Sequence, residues 1–534
     1  MGETRLARAT RWAVTAGSFG VLAGIAAVAA AGGRNLGFWP WWLSAAAACG
    51  AGWLVWRLAG RALARAWRAL RAPRWALPVL LFTAFLAVKL VFALAWTTEQ
   101  QSDFLTLLGA AESISRGDHS FSGRAYWYFF AYQTPFAAYE GLTLKLFGGS
   151  VAPLLVVNAL AMAGSNLLVY QLARRISGST VAGVAASLLY LAYPGPYLLA
   201  NVLTNDHLST FLLYLGAYWA VMAADRAAGT GRAAGTGQAG PGRAAGTGWA
   251  LAALGGIVLQ LGNLARPAGP LVGAALLAAV IGAAIMRHRP GAGWRPLVLA
   301  VAVAAVVLGS YGLVGAGADA AVKASGINPA GVGNHLPEWK LLVGLSASGA
   351  TTGPAKAIGI DQPAPPPGAR ALARSMLRAN LGKLPRDWPV VLKRQARYLW
   401  ALNDTAIFQA WPQLARSRIY DVPDGRGFTV ARHLVLVERG LFLPAVLLAA
   451  AGVVVLNRRR GWGSAATFLG LFVVAYALAH LAIEVQPRYR YLIMPAIFAL
   501  TGPAWSWLFA RPRPRPAPEP PSPGAASAPR AKTE

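Results

Sequence analysis

Cysteine is almost absent from this 534-residue sequence, and charged residues are scarce. The single cysteine, Cys49, lies inside an apolar run, so a disulfide framework and a cysteine-rich metal site are both excluded. Charged residues make up 13% of the chain and hydrophobic residues 56%, a balance far more apolar than that of a soluble domain of this length. The composition therefore predicts burial in a lipid bilayer.

Acidic residues are also few, because 19 Asp and Glu face 49 Lys and Arg and leave a net charge of +30. On a soluble protein such an excess would suggest binding to nucleic acid. Here the basic residues mostly cluster between apolar runs, which is the pattern of the positive-inside rule. The excess therefore favours the cytoplasmic flanks of a membrane protein, with the lipid bilayer and not nucleic acid as partner.

Long apolar runs are abundant, and a spanning helix needs about 20 mostly apolar residues. The first run follows Arg5, Arg8 and Arg11 and is long enough to be a retained helix and not a cleaved signal peptide. The sequence predicts an all-α polytopic membrane protein of about twelve transmembrane helices. The predicted spans lie near 12–31, 38–56, 76–96, 151–171, 180–198, 206–223, 249–263, 267–286, 294–315, 439–456, 463–483 and 491–509.

Orientation follows from the distribution of arginine between these spans. With twelve spans, the connections on one side are the short Arg-rich ones, including those with Arg174, Arg175 and residues 458–460. We therefore expect a plasma (inner) membrane protein with both termini in the cytoplasm. Two long segments, about 97–150 and 316–438, are predicted on the other side.

Composition divides the chain into five parts. The last is rich in Pro, Ala and Ser, a composition that favours flexible coil. The parts are two extra N-terminal helices and a basic connection (1–75), a transmembrane core with the first external loop (76–315), an external cap (316–438), C-terminal helices (439–510) and a disordered cytoplasmic tail (511–534).

The first external segment places a carboxylate where chemistry could occur. Asp103 follows a span directly and opens an amphipathic stretch from Phe104 to Ser115, and Ser102 can cap that helix. A partly desolvated carboxylate at a membrane surface is placed to take a proton from an acceptor hydroxyl. The alternative is a first-turn acid that is favoured only by the helix dipole. Asp103 is therefore a candidate general base.

Two arginines lie on the predicted external side, against the charge rule. Arg488 and Arg490 belong to the stretch 484–491, and bidentate hydrogen bonds to a phosphate at headgroup depth would hold them there. An ordinary lipid headgroup is the alternative partner. Tyr489 and Glu484 of the same stretch are candidate substrate contacts.

Further polar residues stand near span ends. Asp206 and His207 lie at the outer mouth of a span, where an acid is costly unless it faces water or a partner, so they could line a polar cavity. Tyr132 belongs to an aromatic cluster, 126–132, that either anchors the chain at the membrane interface or stacks on sugars. Glu112 is a further acid of the first external segment and a candidate substrate contact.

Metal ligands are few. His480 and Glu484 are four residues apart and would share a helix face, but two ligands do not make a site. The sequence therefore predicts no metal centre and no cofactor, although a divalent metal requirement stays open.

Several short motifs occur in an order that resembles a known superfamily. They include Ser102-Asp103, Lys145-Leu146-Phe147-Gly148, Thr204-Asn205-Asp206, Leu264-Ala265-Arg266-Pro267, Trp339 to Leu345, and Glu484 to Arg490. By these motifs, residues 76–510 resemble the GT-C superfamily of membrane glycosyltransferases. The branch is that of bacterial relatives of protein O-mannosyltransferases and of the aminoarabinose transferase of lipid A.

The resemblance implies an inverting transfer of a hexose or pentose from a polyprenyl-phosphate donor to a cell-envelope glycan, lipid or protein. Asp103 would act as the general base and Arg488 would neutralise the departing phosphate, with Arg266 and Arg490 as further donor-phosphate candidates. The aminoarabinose branch often has Lys before its loop proline, where this chain has Gln133-Thr134-Pro135, so lipid A is not favoured as acceptor.

Two other functional classes remain open at this point. A transporter or flippase would favour mid-span charges and two symmetric halves, and the sequence shows no clear repeat and no mid-span charge beyond Lys89. A ligase of envelope polymers would also carry a large external loop, but it would be expected to depend on external Arg and His.

Overall fold

The computed structural model describes residues 3–34, 73, 75–94, 99–227, 241–288, 294–401 and 426–510. Within these ranges the secondary structure is helical and contains no strand. The helices are α1 (Arg5–Arg34), α2 (Ala76–Leu94), α3 (Asp103–Ser115), α4 (Ala125–Phe129), α5 (Thr134–Leu146), α6 (Ala152–Ser177), α7 (Thr180–Ala192), α8 (Gly195–Leu198), α9 (Asn205–Ala227), α10 (Pro241–Ala265), α11 (Gly269–Arg287), α12 (Arg295–Ala324), α13 (Glu338–Gly344), α14 (Thr352–Ile358), α15 (Ala369–Ala396), α16 (Arg426–Arg458), α17 (Ser464–Ala479), α18 (Met494–Leu500) and α19 (Gly502–Phe509).

The predicted all-helical, multi-pass fold is confirmed. Nine helical segments among the described residues are long and apolar enough to cross a membrane, and each coincides with a predicted span. The predicted span 463–483 is a shorter apolar helix, α17, and the predicted span 38–56 lies outside the described residues. The count of twelve therefore stays a prediction.

Prolines explain why two predicted spans are broken. The predicted span 491–509 consists of the short helices α18 and α19, which have Pro495 and Pro503 in their first turns. Proline is tolerated there because the first-turn N–H groups have no partner within the helix. Helix α7 ends at Ala192 because proline cannot continue a helix and disfavours helical backbone at the residue before it, here Tyr193, which is extended. A new short helix begins at Gly195 with Pro196 in its first turn.

One end of the bundle is held by a buried carboxylate. Asp225, near the end of α9, accepts hydrogen bonds from Arg175 of α6 (2.6 Å) and Arg287 of α11 (2.9 Å). The hydroxyl of Ser464 at the start of α17 donates to the same carboxylate at 2.8 Å. Four helices therefore meet at Asp225, at the end where the sequence predicts the cytoplasm.

Replacing Asp225 by Asn should lower the stability of the folded protein. The two guanidinium groups are about a third exposed, so we expect a loss of about 2–3 kcal/mol, below the usual cost of breaking a fully buried pair. The measurement is the apparent unfolding temperature in detergent, with Asp361→Asn as the control because Asp361 is an exposed acid of the cap. Equal unfolding temperatures for the two variants would contradict the stabilising role of Asp225.

The opposite end carries two segments that pack on each other. We call residues 99–150 the loop segment. From here on, the name cap is kept for residues 325–396, which lie between the end of α12 and the end of α15. The backbone N–H of His335 in the cap donates to the carbonyl of Phe129 in the loop segment at 3.0 Å, and the two segments share a cluster of buried aromatic and aliphatic side chains. The loop segment and the cap therefore form one layer at this end of the bundle.

Helix α3 begins at Asp103 as the motif predicted, but the expected cap is wrong. The side chain of Ser102 makes no capping hydrogen bond, and its φ of 53° lies in the left-handed region that side chains rarely adopt. The apolar face of α3 packs on α5, where a Cβ at Gly141 would lie 2.8 Å from the Ala111 carbonyl. This close approach fixes α3, and with it the position of Asp103.

Candidate functional site

Three positive side chains converge on the ring of Tyr489. Measured to the ring centroid, Arg266 Cζ lies at 4.8 Å, Lys340 Nζ at 5.5 Å and Arg488 Cζ at 5.7 Å. The negative faces of an aromatic ring attract such cations. We call Arg266, Lys340 and Arg488 the cation cluster. Its members come from the end of α10, from the cap helix α13 and from the connection between α17 and α18, so three distant parts of the chain meet here.

Each member of the cation cluster pairs with a different carboxylate. The pairs are Arg266 with Asp206, Lys340 with Glu484, and Arg488 with Asp103. Asp103 is the most exposed of the three acids, with 47% of its side chain accessible, against 1% for Asp206 and 7% for Glu484. Asp103 is therefore the carboxylate of this set that an incoming molecule can reach.

Asp103 stands at the edge of the cation cluster, with its Oδ2 3.3 Å from Nη2 of Arg488. Tyr126 and Tyr132 of the loop segment lie close enough to Asp103 for its negative charge to affect the pKa of their hydroxyls. Burial, with the charge of Asp103 as a smaller cause, raises the pKa of Tyr132 to about 12 and that of Tyr126 well above its ordinary value. Both hydroxyls therefore stay protonated near neutral pH and can donate hydrogen bonds.

A chain of side-chain contacts links Arg488 to Lys340. Arg488 Nε donates to Gln486 Oε1 at 2.8 Å, and Gln486 Nε2 donates to Glu484 Oε1 at 3.0 Å. Burial opposes charge on Lys340, but Tyr489 and Glu484 outweigh it and raise the pKa of Lys340. Burial likewise opposes charge on Glu484, but Lys340 lowers the pKa of Glu484. Both groups are therefore charged near neutral pH.

Arg490, a predicted phosphate ligand, is not brought into the cation cluster. Its Nη2 contacts Glu438 Oε1 at 2.7 Å, and its guanidinium lies over the ring of Phe442 in α16. Tyr193 donates to the same Glu438 oxygen at 2.8 Å. Because the Arg490 side chain is only 3% exposed, these contacts place it inside the bundle, where it holds the connection in place.

Two predicted substrate contacts also lie outside the cluster. His207 is buried, with Nδ1 2.6 Å from Tyr491 Oη and Nε2 3.0 Å from the Leu199 carbonyl oxygen, so both ring nitrogens are already engaged. Glu112 is exposed near the far end of α3 and nine residues from Asp103, which is about 13 Å along a helix. Asp206 therefore pairs with the cation cluster, and its neighbour His207 instead bonds Tyr491 and Leu199.

The predicted shared face of His480 and Glu484 is wrong. Helix α17 ends at Ala479, so the two residues do not lie on one helix. His480 Nδ1 lies 2.8 Å from the Tyr476 carbonyl oxygen, and Glu484 forms an ion pair with Lys340. Across the described ranges, no three His, Cys, Asp or Glu side chains are grouped as metal ligands would be. The expectation that the protein has no metal centre and no cofactor stays a prediction.

Sequence reasoning did not select Lys340 and Gln486. Lys340 is the one charge within the motif from Trp339 to Leu345, and its isolation among apolar residues was the signal available. Gln486 lies between Glu484 and Arg488, and only the hydrogen bonds to both show that it connects them.

The described residues thus form a multi-pass helical bundle with three acid–cation pairs gathered at one of its ends. Residues 133–237 match the profile of the family described as dolichyl-phosphate-mannose-protein mannosyltransferase. The match confirms the predicted resemblance to the GT-C superfamily of membrane glycosyltransferases. No curated protein matches the chain.

Three solved structures are similar to the chain at low identity. The apo oligosaccharyltransferase of Archaeoglobus fulgidus has 14% identity and a TM-score of 0.45, with 80% of this chain and 50% of that chain covered. This chain thus spans about half the length of that enzyme. ArnT of Cupriavidus metallidurans has 16% identity and a TM-score of 0.34 when bound to undecaprenyl phosphate, with 81% and 78% covered. Its apo state has 18% identity and a TM-score of 0.32, with 80% and 76% covered.

Proposed function

We propose that the protein is a glycosyltransferase that moves a sugar from a polyprenyl-phosphate donor to a hydroxyl of a cell-envelope acceptor. The reaction would occur on the non-cytoplasmic face of the plasma membrane. The observation that carries the proposal is the position of Asp103, an accessible carboxylate 3.3 Å from Arg488 at the edge of a cluster of three cations. The family match supports the donor class, because its description names a lipid-phosphate sugar.

The reaction follows from what each group can do. Asp103 takes the proton of the acceptor hydroxyl, and the acceptor oxygen forms a bond to the anomeric carbon of the sugar. The bond from that carbon to the donor phosphate oxygen breaks, and its electron pair stays on the phosphate. Attack opposite the leaving phosphate inverts the anomeric centre.

The Asp103–Arg488 pair couples proton transfer to charge stabilisation. The donor phosphate carries one negative charge as a diester and two as the released monoester. Asp103 loses its negative charge when it takes the acceptor proton, so Arg488 becomes available at the same stage to the phosphate. A charge-assisted hydrogen bond from a fixed cation stabilises the developing charge most strongly in a site that excludes water.

An apolar groove next to the cluster suits the prenyl chain of the donor. The groove has a volume of about 190 Å³, and Gly269 in its lining follows Arg266 by three residues in the sequence. It lies between the membrane helices α10, α11 and α12. Its lining consists of Leu259, Gly269, Pro270, Gly273, Ala274, Leu276, Leu277, Val307, Leu308 and Tyr311. A chain of isoprene units in this groove would place its phosphate beside Arg266.

Filling the groove should block donor binding. Gly273 lines the groove and a Cβ there meets no atom within 4 Å, so the side chain of Gly273→Phe would begin in open space and extend from the groove wall. We expect the donor KM to rise by roughly 10-fold or more, the equivalent of losing burial for one or two methylenes of the chain. The assay measures transfer from a labelled polyprenyl-phosphate sugar in proteoliposomes, with release of polyprenyl phosphate.

The matched control is Gly24→Phe in α1, another membrane-facing glycine with open space around it that does not line the groove. An unchanged donor KM in Gly273→Phe would contradict the groove assignment. A wild-type protein that moves the donor across the bilayer without releasing polyprenyl phosphate would instead favour a flippase, and would contradict the proposed function.

A further inference from the structure

Lys340 is tied to the connection that carries Arg488 by two separate hydrogen bonds. The backbone N–H of Glu484 donates to the Lys340 carbonyl at 2.8 Å, and Lys340 Nζ donates to Glu484 Oε2 at 2.6 Å. Lys340 Nζ also lies 3.3 Å from the hydroxyl of Tyr489. Both the main chain and the side chain of this cap residue are therefore fixed relative to the cation cluster.

The cap packs tightly against the connection between α17 and α18. A Cβ at Gly344 would lie 2.2 Å from the Ala482 carbonyl oxygen, so only glycine permits this approach. Gln395 of α15 bridges the two backbones, because its Nε2 donates to Gly344 O at 2.9 Å and to Ile483 O at 2.8 Å. The cap is thus docked directly against the backbone that precedes Arg488.

The ammonium group of Lys340 retains a donor that it can offer to a ligand. An ammonium has three N–H bonds, and Glu484 and Tyr489 accept two of them. Among the residues that the structure describes, no further acceptor lies within hydrogen-bond distance of Nζ. The side chain is 38% exposed, so a ligand in the cation cluster can reach it.

We propose that Lys340 binds the donor phosphate directly, as the third cation of the site, and that Glu484 holds Lys340 in position instead of contacting substrate. The inference rests on the proposed function and goes beyond it, because it makes the cap part of the donor site. The site is then complete only when the cap is docked on the connection. A compact ammonium supplies a point charge where the guanidinium groups of Arg266 and Arg488 supply planar forks.

The test uses Lys340→Gln in the full-length protein, because an amide keeps N–H donors for Glu484 and Tyr489 but carries no charge. We expect binding of polyprenyl phosphate, without any sugar, to weaken roughly 10- to 100-fold, as the loss of one charge-assisted hydrogen bond predicts. The donor KM should rise. The apparent unfolding temperature should fall, because the buried carboxylate of Glu484 loses its cation, so binding is compared at a temperature where both proteins are folded. Lys356→Met, at an exposed lysine of α14 in the cap, is the control and should bind as wild type.

Lys340→Arg provides a second measurement in case the amide destabilises the cap. It keeps the positive charge, and we expect its affinity for polyprenyl phosphate to stay within about threefold of wild type, since one charge-assisted contact is retained. Wild-type affinity in Lys340→Gln, or a 10-fold loss in a well-folded Lys340→Arg, would overturn the assignment of Lys340 while leaving the proposed function intact. A wild-type protein that binds polyprenyl phosphate but transfers no sugar would overturn the proposed function alone.

Discussion

Asp103→Asn is expected to reduce sugar transfer by about 10²- to 10⁴-fold, the range that a positioned general base contributes. The amide has nearly the same shape as the carboxylate and can still accept a hydrogen bond from Arg488, so the site should keep its geometry. It cannot take the acceptor proton at neutral pH. Transfer from a labelled polyprenyl-phosphate sugar at matched expression measures the loss, and binding of polyprenyl phosphate should be retained.

The matched control for this variant is Asp118→Asn. Asp118 belongs to the same loop segment, is exposed, and accepts local hydrogen bonds from the backbone and side chain of Ser120. We expect it to transfer sugar at the wild-type rate. Full transfer by Asp103→Asn would remove this carboxylate from the mechanism and leave the cation cluster without an accessible base.

Arg488→Gln should have the second largest effect, with transfer lowered by about 10²- to 10³-fold, as for loss of a group that stabilises developing charge. The amide keeps a hydrogen-bond partner for Gln486 but supplies no positive charge to the leaving phosphate. The expected result is a lower kcat together with weaker binding of polyprenyl phosphate.

Arg490→Gln is the comparison that separates catalysis from folding. Loss of this guanidinium removes a buried ion pair with Glu438, which should cost about 3–5 kcal/mol of stability. The apparent unfolding temperature should therefore fall in Arg490→Gln and stay near wild type in Arg488→Gln. The reverse order of unfolding temperatures would show that the two arginines have been assigned the wrong roles.

The bundle could be predicted because bilayer burial constrains sequence strongly. A spanning segment must satisfy its backbone hydrogen bonds internally, so an apolar run of sufficient length indicates a helix. The predicted span 76–96 is Ala76–Leu94 in the structure, and 151–171 begins within a residue of Ala152–Ser177. A hydropathy average does not detect the effect of proline. For this reason the sequence predicted one span over 491–509, where the structure has two helices.

Part of the site could also be predicted, because the bilayer restricts where charged residues occur. Ionisable residues at a membrane boundary are costly and few, so Asp103 and Arg488 stand out in the sequence. Arg266 was selected only because its motif resembles the family. Lys340 could not be placed, because its pairing with Glu484 spans 144 residues and depends on how the cap folds. The opposite directions of Arg488 and Arg490 follow from the 3₁₀ turn Pro487–Leu492, in which residues two apart point to different sides.

The pairing of every cation in the cluster with a carboxylate leaves the site without a large excess of either charge. Long-range steering of an anion requires such an excess, and salt at 0.1 M screens what remains within about 10 Å. A lipid-linked donor would therefore arrive by lateral diffusion in the bilayer and feel attraction only on contact. Discrimination among the many anionic lipids of a membrane would then depend on the shape of the prenyl chain and of the sugar, and not on capture at a distance.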